Sequence, residues 1–209
     1  MPAAVAFPSR EYLARSRAWV GLLILVPFAC LVLFSRPLAP EGSRGDFWFD
    51  TAGWALFSAG AAYRWWSTLY IGGRKTKALA AEGPYSMSRN PLYFGTFLMC
   101  LSVAVFLQSL TFLCGLAIAS VFYLSVTIAN EEHHLGTAFG SQYTEYCEQV
   151  PRFWPRPRLF RTADTIEVSV RGLAAEAVRT ARWVWIPVLC DFVSHVRTEP
   201  WWPELVRLP

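Results

Sequence analysis

The residues that could do chemistry in this chain gather in two polar stretches on either side of a long uncharged one. The first, Glu82 to Gly95, reads EGPYSMSRNPLYFG and offers two phenols, Tyr85 and Tyr93, with the guanidinium of Arg89 and the amide of Asn90 between them. The second opens with Glu131-Glu132 and His133-His134 and runs on to Tyr143, Tyr146 and Arg152. Taken by themselves, Tyr85, Arg89, Asn90 and Tyr93 read as a helix cap with an interfacial arginine and aromatic belt, and a role in holding a ligand stays open beside that. Glu131 follows an apolar helix, and a carboxylate at a helix C-terminus opposes the helix dipole, so it asks for a positive partner. That partner is either a bound ligand or a nearby arginine; the residues alone leave both open. His133 and His134 are adjacent and point to different helix faces, so they cannot ligate one metal as an i, i+4 pair could. No metal is expected.

Local signals position the first stretch. Gly83-Pro84 marks a turn, because glycine reaches backbone angles other residues avoid and proline fixes its own. Asn90-Pro91 reads as a helix start, with Asn90 as N-cap and Pro91 at the first helical position, where its missing N–H costs nothing.

The elements around these stretches are those of a membrane protein. The chain has 209 residues, 54% of them hydrophobic, with ten Trp and fifteen Phe, which is too apolar for an ordinary soluble domain. The net charge of +4 comes from arginines beside apolar runs, which suits an anionic membrane surface and not nucleic acid. Five scattered cysteines, Cys30, Cys100, Cys114, Cys147 and Cys190, show no disulfide or metal spacing and read as small buried hydrophobes.

After a polar segment with Arg10, Arg15 and Arg17, residues 18–35 form a first apolar run of spanning length, with Pro27 inside it. No signal-peptide cleavage site follows this run, so it is expected to be retained. Residues 47–66 form a second, with Asp50 and Arg64 near its ends, where charges can snorkel to the interface. Between Leu92 and Asn130 there is no charge. One straight helix of that length would measure about 58 Å, twice the hydrocarbon thickness, so the stretch must fold as a hairpin, turning at Gln108-Ser109. The N-terminal segment, the loop with Arg74, Lys75, Lys77 and Arg89, and the tail with Arg152, Arg156, Arg158 and Arg161 then fall on one side, the cytoplasmic one by the positive-inside rule. Residues 131–150 read as an interfacial helix with Tyr143 and Tyr146 on one face. Asp164-Thr165-Ile166-Glu167 resembles a capping box that starts a further helix. The run 183–196, broken by Pro187, Asp191 and His195, is expected to lie in or dip into the interface, with Trp201-Trp202 as an aromatic belt.

Gly83-Pro84-Tyr85, Arg89-Asn90-Pro91-Leu92-Tyr93 with Gly95, Glu131-Glu132, Phe139-Gly140 with Tyr143 and Tyr146, and Val150-Pro151-Arg152 together resemble the signature of the isoprenylcysteine carboxyl methyltransferase and phospholipid methyltransferase superfamily. These motifs occur in order over roughly residues 70–157. The resemblance implies a membrane-embedded enzyme that uses S-adenosylmethionine on a lipophilic or amphiphilic acceptor: a lipid amine, a lipid carboxylate, or a small thiol or hydroxyl. It assigns Tyr85, Asn90, Pro91, Leu92, Tyr93 and Glu131 to the cofactor. Arg89, Thr127, Glu132, Tyr143, Tyr146 and Arg152 become candidate pocket residues, Arg152 for the methionine carboxylate or, preferred here, anionic lipid head groups. Gly72-Gly73 lacks the strand-to-helix context of a soluble nucleotide site, so the pocket must come from the stretch Glu82 to Gly95, the doorway to the uncharged run, and the tail.

Two positions depart from the isoprenylcysteine enzymes. They carry His where this chain has Asn90, and they carry Arg, assigned to the substrate carboxylate, where this chain has Thr127. Losing that bidentate partner argues against a prenylcysteine substrate.

The expectation is an all-α integral protein of the bacterial cytoplasmic membrane, with about four transmembrane helices, a cytosolic-face pocket and both termini cytoplasmic. Residues 1–160 form the core, and 161–209 a helical appendage, interfacial or re-entrant. A non-enzymatic membrane scaffold that retains the fold is the competing class.

Overall fold

The computed structural model describes residues 10–71 and 79–206, all helix and connecting loop, with no strand among them. The helices are α1 Arg10–Leu33, α2 Arg44–Ile71, the single turn α3 Pro84–Met87, α4 Pro91–Phe106, α5 Leu110–Phe122, α6 Ala129–Phe139, α7 Ser141–Gln149, α8 Val170–Trp183 and α9 Trp185–Thr198. A π-helical segment, Tyr123–Ile128, joins α5 to α6 without a break, and Pro157–Leu159 is a 3-10 turn. Gly72-Gly73, Arg74, Lys75 and Lys77 lie outside the described residues, as do the side chains of Arg10, Arg15 and Arg17.

The hairpin turns where the two polar residues predict. Gln108 adopts φ 47, a left-handed conformation that costs a non-glycine residue about 1 kcal/mol or more. Its side chain is enclosed in compensation: Nε2 donates to Asp46 Oδ1 at 2.7 Å and Oε1 accepts from the Ala39 amide at 3.0 Å. Ser109 caps α5 by accepting from the Phe112 amide at 3.3 Å. Packed behind this turn, Val32, Ala104, Leu107, Phe112 and Leu116 form the apolar core between α1, α4 and α5.

The tightest packing is between α2 and α4. A Cβ on Gly60 would lie 2.6 Å from the Gly95 carbonyl oxygen, and one on Gly95 would lie 2.8 Å from the carbonyl of Gly60. Only glycine lets the two backbones touch there. That contact brings Arg64 of α2 beneath the first turn of α4.

Of the four expected spans, one helix among the described residues, the continuous rod Leu110–Phe139, is long and apolar enough to cross a membrane by length and composition; Leu23–Leu33 and Pro91–Phe106 are shorter apolar helices. Several other expectations are corrected. The rod does not end at Glu131. It runs on to Phe139 and breaks at Gly140, whose φ of 54 stops it, so residues 131–150 are two helices and not one. The apparent capping box at Asp164 does not start a helix: α8 begins at Val170, capped by Ser169, whose Oγ accepts from the Gly172 amide at 3.2 Å. β-branched Thr165, Ile166 and Val168 are weak helix formers in between. Two of the cysteines, Cys30 and Cys114, are exposed on outward helix faces and not buried.

The C-terminal helices stand along the bundle, end to end, and do not lie across one face. Near the doorway, Trp65 Nε1 donates to Thr180 Oγ1 at 3.0 Å. At the other end Ser194 Oγ donates to the Phe106 carbonyl at 2.7 Å. The buried Arg197 donates to the carbonyls of Ser35 at 2.8 Å and Leu107 at 2.7 Å, so one guanidinium meets the negative C-terminal ends of both α1 and α4. Trp202 Nε1 closes on the Leu33 carbonyl at 2.6 Å. Residues 199–206 therefore sit at the end of the bundle away from Glu131, which corrects the expectation that the C-terminus shares the doorway's side. Pro187 does not interrupt α9 because it falls in its first turn, where no intrahelical N–H is needed.

Candidate functional site

The doorway is bolted in place from behind. Gly83 has φ 58, and a Cβ there would lie 2.3 Å from the Tyr70 ring, so glycine is required at this turn. The extended strap 151–161 then supplies the hydrogen bonds that the short α3 lacks. Arg89 N donates to the Pro151 carbonyl at 2.9 Å, Arg156 N to the Met87 carbonyl at 3.0 Å and Ser88 Oγ to the Phe153 carbonyl at 2.9 Å. The Val-Pro-Arg tail is thus a structural partner of the doorway as well as the end of α7.

Tyr85 is buried at the centre of this arrangement. Its carbonyl accepts from Tyr146 Oη at 2.7 Å, while its own hydroxyl is buried with no hydrogen-bond partner. Burial pushes its phenol well above the usual range, with Tyr146 and the Glu131 carboxylate adding to the effect, so Tyr85 stays a neutral donor. Tyr143 and Tyr146 do share a buried face of α7, with ring centroids 6.1 Å apart, and their contribution is to hold Tyr85 and Arg89.

Asn90 does not cap α4. Its side chain makes no capping bond; Nδ2 donates instead to the Arg152 carbonyl at 2.9 Å, tying doorway to strap. Pro91 occupies the first turn as expected. The Leu92 carbonyl accepts from Thr96 Oγ1 at 2.9 Å and from Arg64 Nη1 at 3.2 Å. Tyr93 reaches across to the rod, where its hydroxyl donates to Glu131 Oε2 at 2.7 Å and its ring packs on Tyr123 at 5.7 Å.

The two carboxylates of the Glu131-Glu132 pair are used differently. Glu132 is neutralised twice, by Arg152 Nε at 2.9 Å and by Arg89 Nη1 at 3.3 Å. Arg152, expected to serve lipid head groups or the methionine carboxylate, thus has a carboxylate partner within the chain and stays 42% exposed. Glu131 is exposed and, among the described residues, pairs with no cation; Tyr93 holds it. Because α6 continues to Phe139, the helix-end argument for Glu131 does not apply; among the described residues it is distinguished by being held by a phenol where Glu132 is held by two arginines. Thr127, four residues earlier in the π-helical segment, is buried, and its hydroxyl has no partner.

Sequence reasoning missed Arg64 and Glu176. Arg64, expected to snorkel outward, turns inward and makes a bidentate pair with Glu176 of α8. An arginine inside an apolar helix was the available signal, since such a charge needs a partner. Two clefts among the described residues lie elsewhere. One of about 580 Å³ at the far end is lined by Arg36, Leu38, Glu41, His195 and Glu199. Another of about 390 Å³ behind α3 is lined by Ser86, Val150, Arg158 and Arg161.

Comparison with known proteins places this arrangement. The family described as phospholipid methyltransferase matches residues 45–142, from the start of α2 past Glu131 into α7. The cobalt-zinc-cadmium resistance protein CzcN of Cupriavidus metallidurans is 32% identical over 174 residues, covering 81% of this chain and 77% of its own length. The protein-S-isoprenylcysteine O-methyltransferase of Dictyostelium discoideum is 35% identical over 77 residues, 37% of this chain and 32% of its own. The chain belongs to the isoprenylcysteine carboxyl methyltransferase and phospholipid methyltransferase superfamily. It is also similar along nearly its whole length to the nickel-cobalt-cadmium resistance protein NccN of Alcaligenes xylosoxydans xylosoxydans, at 29% identity over 212 residues, 99% of this chain and 97% of the relative. No solved structure matches it. The superfamily membership accounts for the methyltransferase-type doorway and for an apolar, membrane-associated body.

Proposed function

We propose that this protein is an integral membrane methyltransferase that moves a methyl group from S-adenosylmethionine to a lipophilic or amphiphilic acceptor. The observation that carries the reading is the pair Tyr93–Glu131, a carboxylate oriented by a phenol that, among the described residues, pairs with no cation, while its neighbour Glu132 pairs with two. The residues fit the cofactor. Glu131 would balance its ammonium and sulfonium charge, and the unpartnered buried hydroxyl of Tyr85 offers a neutral donor to its polar groups. When bound, S-adenosylmethionine supplies an electrophilic methyl group on a cationic sulfur.

The chain's own residues then bind and orient. Tyr93 fixes the direction of Glu131, the strap and Tyr146 fix Tyr85, and the apolar α4 and rod limit water around them. Asn90 can offer its Oδ1 and the second hydrogen of Nδ2, the first being donated to the Arg152 carbonyl. The uncharged Thr127 favours acceptors that need no carboxylate clamp. In the bilayer we place α1, α2, α4 and the rod across the membrane with the doorway at the cytoplasmic face of a bacterial cytoplasmic membrane. The C-terminal helices accompany α2 from that face toward the other.

Titration calorimetry of the detergent-solubilised protein with S-adenosylmethionine and its demethylated product, beside Glu131→Ala, tests the reading. Micromolar binding that the variant loses supports it, and no binding to folded protein removes it.

A second reading is favoured by the full-length relatives, whose names concern metal resistance. We infer that the protein acts in tolerance to divalent transition metals. Growth on nickel, cobalt or cadmium of a strain carrying Glu131→Ala separates the two roles: retained tolerance points to a scaffold, and lost tolerance ties resistance to the site.

A further inference from the structure

Beneath the doorway lies a buried charge pair whose hydrogen bonds go to each other, to α4 and to Arg179, and not to Tyr85 or Glu131. Arg64 Nε donates to Glu176 Oε1 at 2.6 Å and Nη2 to Oε2 at 3.0 Å. Nη1 turns to α4, donating to the Leu92 carbonyl at 3.2 Å and to Thr96 Oγ1 at 2.5 Å. The Trp183 ring covers the guanidinium with its centroid 5.4 Å from Cζ, and Arg179 holds the other side of the carboxylate. Glu176 is only 2% exposed.

Such a pair is poor as a stability device, since replacing buried ions with apolar side chains is often neutral or favourable. Geometry is what it can supply. The Leu92 carbonyl belongs to the peptide that carries Tyr93, and Thr96 lies one turn further along α4. Arg64 therefore grips the first turn of α4 from the α2 side, while Glu131 takes the Tyr93 hydroxyl from the rod side. Arginine alone could rotate among several carbonyls; the bidentate carboxylate fixes the plane of its fork. That carboxylate comes from α8, beyond the residues 45–142 that the family shares.

We propose that Glu176 is a positioning residue of the methyl-transfer site: it orients Arg64, and Arg64 sets the turn of α4 from which Tyr93 reaches Glu131. The inference rests on reading Tyr93 and Glu131 as cofactor-binding. It makes the C-terminal helices a working part of the site.

The test uses the full-length protein with 3-fluorotyrosine at position 93, in the wild type, in Glu176→Gln and in the double variant Arg64→Leu/Glu176→Leu. The double variant removes both buried charges together and leaves only Arg179, 47% exposed and open to solvent, without its partner, so the fold stays testable. Its melting temperature, ligand-free fluorine spectrum and S-adenosylmethionine affinity are measured together. The expected result is a folded double variant whose fluorine resonance shifts and broadens and whose affinity falls about tenfold or more, the equivalent of losing one oriented contact. Unchanged resonance and affinity in the folded variants would overturn the positioning role, and loss of fold in both would assign the pair to stability and overturn it as well. Failure of the wild type to bind S-adenosylmethionine would instead remove the methyltransferase reading and with it the site named here.

Discussion

Tyr93 Oη donates to Glu131 Oε2 at 2.7 Å, and this bond closes the two ends of the uncharged stretch on each other. The hairpin of α4 and α5 exists in sequence as one apolar run; the fold brings its polar boundaries back together on one side. Removing the phenol hydroxyl in Tyr93→Phe leaves Glu131 free to rotate, and S-adenosylmethionine affinity is expected to fall about tenfold. Glu131→Gln removes the charge itself and should cost on the order of a hundredfold, in keeping with the 1.5–3 kcal/mol of a charge-assisted hydrogen bond. Calorimetric dissociation constants check both, with circular dichroism showing the fold intact.

Glu132 should behave in the opposite way. Its carboxylate joins Arg89 of the doorway to Arg152 of the strap, and Arg152 remains 42% exposed, so screening limits what that half of the bridge contributes. Glu132→Ala is expected to lower stability by about 2 kcal/mol and leave cofactor affinity within about threefold. A variant that keeps its melting temperature but loses binding would exchange the roles assigned to the two glutamates.

The parts of this site that were legible in the sequence are those with local causes. Gly83, Pro84 and Pro91 punctuate the backbone wherever they occur, and Gln108-Ser109 had to turn because an unbroken helix would be too long. Partner choice over long separations has no such signal. Nothing in the neighbourhood of Asn90 says that its amide will leave its own helix for the carbonyl of Arg152, and nothing near Arg64 says that its carboxylate lies on α8. The polar run Glu131 to His134 looked like a helix end because hydropathy changes there. Backbone hydrogen bonding is indifferent to hydropathy, and the rod continues until Gly140. The C-terminal helices were misjudged for a related reason: a charge counts against burial in any hydropathy sum, yet Glu176 and Arg197 are inside because each meets its partners there.

Contact of α2 and α4 through Gly60 and Gly95 gives a prediction about packing. A methyl group on either residue meets a backbone carbonyl, which cannot move aside as a side chain could. Gly60→Ala and Gly95→Ala are each expected to destabilise by about 1–3 kcal/mol, and Gly95→Ala should also weaken cofactor binding because Tyr93 lies on the same turn. Gly21 is the control: nothing lies within 4 Å of the place a methyl group there would take, so Gly21→Ala should be neutral or stabilising by up to about 1 kcal/mol. Thermal unfolding in detergent distinguishes the three.

The course of α8 and α9 along α2 predicts a sidedness. Glu148 on α7 is exposed at the doorway end, and Trp201, 68% exposed, lies beyond Arg197 at the other. In a background with the five native cysteines replaced, a single cysteine at position 201 should react with a membrane-impermeant maleimide in intact cells, and one at position 148 only after the cells are opened. Equal protection of both in intact cells would return the C-terminus to the cytoplasmic face.

Alkaline pH offers a test of the doorway's aromatic interior. Burial raises the phenols of Tyr85, Tyr143 and Tyr146 above their usual value, with Tyr146 adding to the effect at Tyr85, Cys147 at Tyr143 and Tyr143 at Tyr146. In the unfolded chain they lose protons near pH 10, while in the folded protein they keep them. The folded state thus binds more protons above pH 10, so stability is fully present below that pH and is lost as pH rises beyond it. Each such tyrosine steepens the loss by about 1.4 kcal/mol per pH unit while its folded form remains neutral. Tyrosinate absorbance should accordingly appear in two stages, the exposed phenols first and the buried ones only as the fold collapses. Tyr146→Phe should make the stability loss shallower by one such increment, at the cost near neutral pH of the hydrogen bond that holds the Tyr85 carbonyl. Complete tyrosine ionisation near pH 10 with helicity retained would show that these phenols are open to solvent, and Tyr85 would then lose its standing as the neutral buried donor of the site.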